Sequence, residues 1–154
     1  MSPEARTSQV PAPRYLLVDG HSILHAWPEL RKLHRQQPSA ARDQLIRLLS
    51  GLHDSGRWTV TLVFDGQKGG RQERPRDSMA VLYASTGQTA DSIIERIAQA
   101  HAGKAEIGVV TADHAERTAV ESNGAYAFSP EWLKSELAAA DLEIEENLRR
   151  KKLT

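Results

Sequence analysis

The sequence predicts a three-layer α/β domain with a mainly parallel central sheet, and three observations carry that expectation. Short apolar runs alternate with helical patterns along the chain, as in βα repeats. The runs are apolar at successive positions, as in strands covered on both faces. A length of 154 residues suits one core.

The elements follow in order. Residues 1–13 hold three prolines and little apolar content, and are expected to form a disordered leader. The first strand is expected at 15–18, closed by Asp19-Gly20. A short helix at 21–27 stops before Pro28, and the polar stretch LRKLHRQQPS reads as a loop. Residues 40–53 read as an amphipathic helix capped by Ser39, with Ala41, Leu45, Leu48, Leu49 and Leu52 on its apolar face. Strands at 58–64 and 79–83 flank a Gly/Arg-rich loop at 67–77. Thr89 caps a helix running to about residue 101, whose apolar face is Ile93, Ile94, Ile97 and Ala98. A strand at 107–110, a helix at 114–122 closed by Asn123-Gly124, and a strand at 126–128 come next. Ser129-Pro130 opens the last helix, expected to reach about residue 148. The expected domain spans 14–140, with a helical extension and basic tail at 141–154.

Hydrophobic residues make up 40% and charged residues 26%, ordinary for a globular protein, and net charge is zero. No run approaches a membrane span and no signal-peptide core is present, so the cytoplasm is the expected compartment. The absence of cysteine excludes disulfides, thiolate catalysis and Cys-based zinc sites.

The acids are placed unevenly. Asp19, Asp65 and Asp113 close the apolar runs YLLVD, VTLVFD and IGVVTAD, and Asp91 opens the helix of TGQTADSIIE. In an open parallel sheet the carboxyl ends of the strands share one edge, outside which ligands bind. Each acid alone has an ordinary explanation as a turn, a cap or a charge favoured by the helix dipole. Together they predict an oxygen-ligand site for Mg²⁺ or Mn²⁺, with one or two ions and phosphate chemistry as its task. Glu95, four residues after Asp91, shares its helix face.

Competing chemistries fit less well. A haloacid-dehalogenase phosphatase wants an aspartate two places after the first, where this chain has His21. No Walker-type GxxxxGK[ST] occurs, and Ser22 has no triad partners. His21 and His25 have a spacing that suits zinc on a helix, without the glutamate of HExxH. Trp27 either packs or stacks a base, while Tyr15, Trp58 and Trp132 read as core. The segment KGGRQERPR follows the Asp65 strand end, so Lys68, Arg71, Arg74 and Arg76 are expected to contact a nucleic-acid backbone.

The segments VDGHSILHAWPEL, AARDQLIRLL, LVFDG, VLYASTGQTADSIIER, VVTADHAER and GAYAFSPEWL resemble, in order, the YacP-like NYN-domain family, a branch of the PIN-like nucleases. The likeness covers roughly 14–138. It implies a PIN-like α/β/α fold and a metal-dependent endoribonuclease, with messenger RNA and the ribosome as partners. Carried over, it makes Asp19, Asp65, Asp91 and Asp113 the catalytic acids. Asp19, Asp91 and Asp113 become metal ligands, with Glu95 in support. The family pattern DGYN reads Asp19-Gly20-His21-Ser22 here, which gives Ser22 the place that orients Asp19 or contacts phosphate. His114 stands where an aromatic often follows the last aspartate. Two other readings are kept: a non-catalytic RNA- or ribosome-binding module, and a nuclease for branched or single-stranded DNA.

Overall fold

The computed structural model describes residues 13–66, 70–71, 78–85 and 87–153. Strands β1 (Arg14–Asp19), β2 (Thr59–Phe64), β3 (Gly70–Arg71), β4 (Ala80–Tyr83), β5 (Glu106–Val110) and β6 (Tyr126–Phe128) form one sheet in the order β3-β4-β2-β1-β5-β6. All neighbours pair in parallel except β3, two residues long, which runs antiparallel to β4. The mainly parallel sheet predicted from the uninterrupted apolar runs is therefore present.

Alternate strand residues feed opposite faces, and the core divides accordingly. Leu16, Val18, Val60, Leu62, Phe64 and Val81 pack with α1 (Gly20–Ala26), α2 (Pro28–Gln36), α3 (Pro38–Asp54) and α6 (Pro130–Leu153). Leu17, Val63, Ile107 and Val109 pack with α4 (Ala90–Ala100) and α5 (His114–Ser122). Strands β1, β2 and β5 are thus buried on both faces, the physical reason their runs lack polar alternation.

The helices correct four expectations. The stretch read as a loop is α2, begun by the same Pro28 that ends α1. Proline fits the first helical turn because its missing N–H would have no partner there, and Leu30 supplies the buried contact. Helix α3 starts at Pro38 behind Gln37, so Ser39 is inside it rather than its cap. On its buried face Ile46 replaces Leu48, which is 40% exposed. Helix α6 runs unbroken to Leu153, past the expected end, and Ala140 is its last buried residue. Trp27 packs: it is buried, and its Nε1–H donates to the Pro130 carbonyl at 3.1 Å.

From β1 the chain moves outward through β2 to β4, then returns to β5 on the other side of β1. The sheet order reverses at β1/β5, and at such a switch point the flanking loops diverge and leave a crevice at the carboxyl edge.

Candidate metal centre

Four acids meet the crevice through four local devices. Asp19, the last residue of β1, caps α1 by accepting from the Ser22 N–H. Asp65, just after β2, accepts from the Ala90 N–H at 2.8 Å, which docks the start of α4 on the strand end. Thr89 and Ser92 form a reciprocal capping box that sets Asp91 in the first turn of α4. Asp113, after β5, caps α5 by accepting from the Glu116 N–H at 3.1 Å.

Gly20 and Gly66 follow two of these aspartates, though neither has a positive φ. A Cβ at Gly20 would stand 2.5 Å from the Phe64 ring, and one at Gly66 would run into the Ala84 carbonyl. Close approach of neighbouring strand ends, not a left-handed turn, requires glycine at both places.

Asp19, Ser22, Asp65, Asp91 and Asp113 line one open cavity of about 570 Å³, with His21 and His25 on its flank. One carboxylate oxygen from each of Asp19, Asp91 and Glu116 lies within 4.8 Å of the other two, Glu116 standing behind the residues that line the cavity. Asp113 and Asp65 stand exposed at the rim. Glu95 is half-exposed on α4 and lies outside both the cavity lining and the close trio.

Glu116 is the residue that reading the sequence missed. Three places after Asp113 it looks like the second half of a capping box, where a glutamate reaches back to the cap. Instead its side chain is 2% exposed, and neither carboxylate oxygen has a hydrogen-bond partner among the described residues. Its position did carry a signal: Val120 is one turn on, so a charged residue sits on the buried stripe of α5. Burial pushes Glu116 up to about 9, the nearby Thr111 hydroxyl pulls against it, and the Asp19 and Asp91 carboxylates add to the rise. Asp91 is also raised, by burial first and then by the charge of Asp19, with Asp113 and Asp65 contributing.

Asp19 is held by a hydroxyl pair. The Ala112 N–H donates to Ser22 Oγ at 3.1 Å, and the Asp113 N–H donates to Thr111 Oγ1 at 3.0 Å. Those amides occupy acceptor positions and leave the hydroxyl protons to turn toward Asp19 Oδ2, 3.2 Å from Ser22 Oγ and 3.5 Å from Thr111 Oγ1. Ser22 and Thr111 are themselves 3.1 Å apart. Ser22 is thereby committed inside the site.

The donor set suits a hard divalent cation. Three oxygen donors converge, two of them on buried residues, with no Lys or Arg paired to them among the described residues. Packing three carboxylates together without a counter-charge is costly, and a bound cation removes that cost. Among the described residues no group containing His21 and His25 meets the same criterion, so the zinc reading gains no third ligand. The Asp65 N–H donates to His21 Nδ1 at 3.3 Å, so the neutral ring carries its proton on Nε2. Asp65 Oδ2, 3.8 Å from that nitrogen, is beyond hydrogen-bond reach.

Arg71 lies in β3, and Lys68, Arg74 and Arg76 fall outside the described residues.

A family model of the YacP-like NYN domain matches residues 16–154. The chain belongs to the YacP-like NYN-domain family. It is 33% identical over 138 residues to the protein YacP of Bacillus subtilis (strain 168), covering 88% of this chain and 81% of that one. The crystal structure of Rae1 (YacP) from Bacillus subtilis superposes with a TM-score of 0.74 at 31% identity, over 88% of this chain and 80% of that one. Its W164L mutant gives 0.74 at 30% identity, over 90% and 82%. Membership of this family implies a place in the nuclease superfamily, and the trio at the switch point is an acidic cluster that could hold a metal ion. Among the described residues no helix is long and apolar enough to cross a membrane.

Proposed function

We propose that the chain is a divalent-metal-dependent endoribonuclease, hydrolysing RNA phosphodiester bonds at the crevice between β1 and β5. The observation that carries this is Glu116: a buried carboxylate whose two oxygens find no hydrogen-bond partner among the described residues, beside Asp19 and Asp91. Such an arrangement is costly for a protein to retain unless a cation uses it.

Mg²⁺ or Mn²⁺ bound here would supply Lewis acidity toward a phosphoryl oxygen and would make water a better nucleophile at neutral pH. Asp19, Asp91 and Glu116 would hold it, with Ser22 and Thr111 fixing the orientation of Asp19. Asp113 and Asp65, exposed at the rim, are placed to accept a proton from the attacking water or to orient it. The chain offers no cysteine nucleophile, in keeping with direct attack by water. The basic segment that follows Asp65, with Lys68, Arg71, Arg74 and Arg76, is assigned to the RNA backbone. The commitment of Ser22 to Asp19 makes it a positioning residue in this scheme rather than an RNA contact. Cleavage of messenger RNA on the ribosome is the finer form of the proposal and rests on the family resemblance alone.

The test is cleavage of one messenger RNA, naked and on translating ribosomes, by wild type and Asp19→Asn with Mn²⁺. Wild type is expected to cut, and the variant to stay folded with at least ~100-fold less activity. A folded wild type that binds RNA but never cuts it would turn the assignment to a non-catalytic binding module. Equal cutting by Asp19→Asn would remove the carboxylate mechanism.

A further inference from the structure

The α1 flank of the cavity carries side chains that the carboxylate site does not use. His21 and His25 line the cavity, and a row of rings continues outward from them. The His21 and His25 centroids are 6.3 Å apart, and those of His25 and His34 are 5.6 Å apart. His25 is exposed and His34 is half-buried on α2. Arg42, on α3, is close enough for its charge to act on His34.

This row is chemically unlike the rest of the crevice. No hydrogen bond or ion pair among the described residues engages the side chains of His25, His34 or Arg42. His34 is lowered from its ordinary value by burial first, and then by His25, His21 and Arg42, so every charged neighbour acting on it is a base. Helix α2 adds exposed Arg31, Lys32 and Arg35, while its one acid, Glu29, is 3.5 Å from Lys134. A polyanion engaged at five carboxylates is best led away over a surface where bases outnumber acids, as they do here against the exposed Glu29 and Asp43. Unpaired bases stack on exposed histidine rings, and a guanidinium takes a phosphate.

We propose that His25, His34 and Arg42 form the track along which single-stranded RNA lies as it leaves the carboxylate site, its bases against the rings and a phosphate at Arg42. The proposal rests on the ribonuclease reading of that site. It gives the protein a preference for unpaired RNA over duplex, because bases held in a duplex cannot reach the rings. It also makes recognition along the track tolerant of sequence, since every base has a π-face.

The experiment measures binding and cleavage of a short fluorescein-labelled single-stranded RNA by the full chain. The variants are His25→Ala, His34→Gln and Arg42→Ala, with Arg149→Ala on the exposed end of α6 as a control. Each track variant is expected to raise Kd and KM about tenfold, with kcat within about twofold of wild type. Arg149→Ala is expected to change neither. Since His25 is exposed, His25→Ala tests the track without risk to the core. Unchanged Kd and KM in the track variants, with wild type still cutting, would overturn the track and leave the nuclease standing. An equal loss in Arg149→Ala would overturn it too, reducing the effect to bulk charge. A wild type that binds but does not cut, with binding lost in the track variants, would keep the track and remove the nuclease. A wild type that neither binds nor cuts would remove both.

Discussion

At the scale of single residues, the site is a contest between burial and charge. Asp19 is 6% exposed, yet it accepts from two hydroxyls and one amide, so its burial is compensated. Glu116 is more buried and has no such partners. The difference separates a carboxylate the fold has satisfied from one it has left for a ligand. Ser22 belongs to the first group, and Ser22→Ala removes one of the donors to Asp19. The variant is expected to fold normally and to lose roughly tenfold in cleavage rate, the scale typical of groups that orient a ligand. Steady-state cleavage and thermal melting check this together: a full rate would mean that Thr111 alone orients Asp19. Asp19 was legible as a candidate because it closes an apolar strand run. Glu116 was not, because D-x-x-E reads locally as a cap and only the tertiary fold turns its side chain inward.

At the scale of elements, polar ties between helices and strands decide the geometry. Arg57 donates to both oxygens of Glu136 of α6 through Nε and Nη2, at 3.0 and 3.1 Å, and Trp58 Nε1–H donates to the same carboxylate at 2.7 Å. Burial alone would raise Glu136, but the hydrogen bonds from Arg57 and Trp58 and the Arg57 charge outweigh it and hold it below its usual 4.5. A carboxylate lowered by folding stabilises above its unfolded value and loses that contribution as pH falls through its folded value. Glu136→Gln is therefore expected to cost about 1–3 kcal/mol at pH 7, because a charged hydrogen-bond acceptor in a part-buried site is lost. The deficit should close as pH drops below about 4.5. Denaturant melts of both proteins between neutral and acid pH measure it, and a deficit independent of pH would mean that shape, not charge, is what Glu136 contributes.

Elements with a strong local signal were legible: the apolar strand runs, the Thr89 cap with Asp91 behind it, and the Ser129-Pro130 helix start. Helix α2 was hidden because its surface is almost wholly polar and only Leu30 is fully buried. The exchange of Leu48 for Ile46 on α3 has a similar origin. The helix packs through a broad face, and spacing alone does not say which side of that face the neighbouring elements cover.

At the scale of the whole molecule, the chain folds so that its two runs of strands leave β1 in opposite directions, and the acids meet where they part. This is why a neutral protein with ordinary composition holds a dense negative site: the charge is gathered by topology, not by sequence adjacency. Fold class, sheet edge and two of the three clustered carboxylates were available from the sequence. The third, and the histidine row beside it, depended on which helix faces the sheet holds inward or leaves open.

The measurement that bears most directly on the central claim is a Mn²⁺ titration of wild type and Glu116→Gln, reading the thermal midpoint and cleavage of single-stranded RNA in the same samples. Without metal, Glu116→Gln is expected to melt higher than wild type, because an acid buried against two others has been replaced by a neutral amide. With Mn²⁺, wild type should gain stability as RT ln(1 + [L]/Kd) requires, and cleavage should rise over the same concentration range. Glu116→Gln should show neither response. RNA cleavage by wild type in EDTA, or an unchanged metal response in Glu116→Gln, would contradict the account.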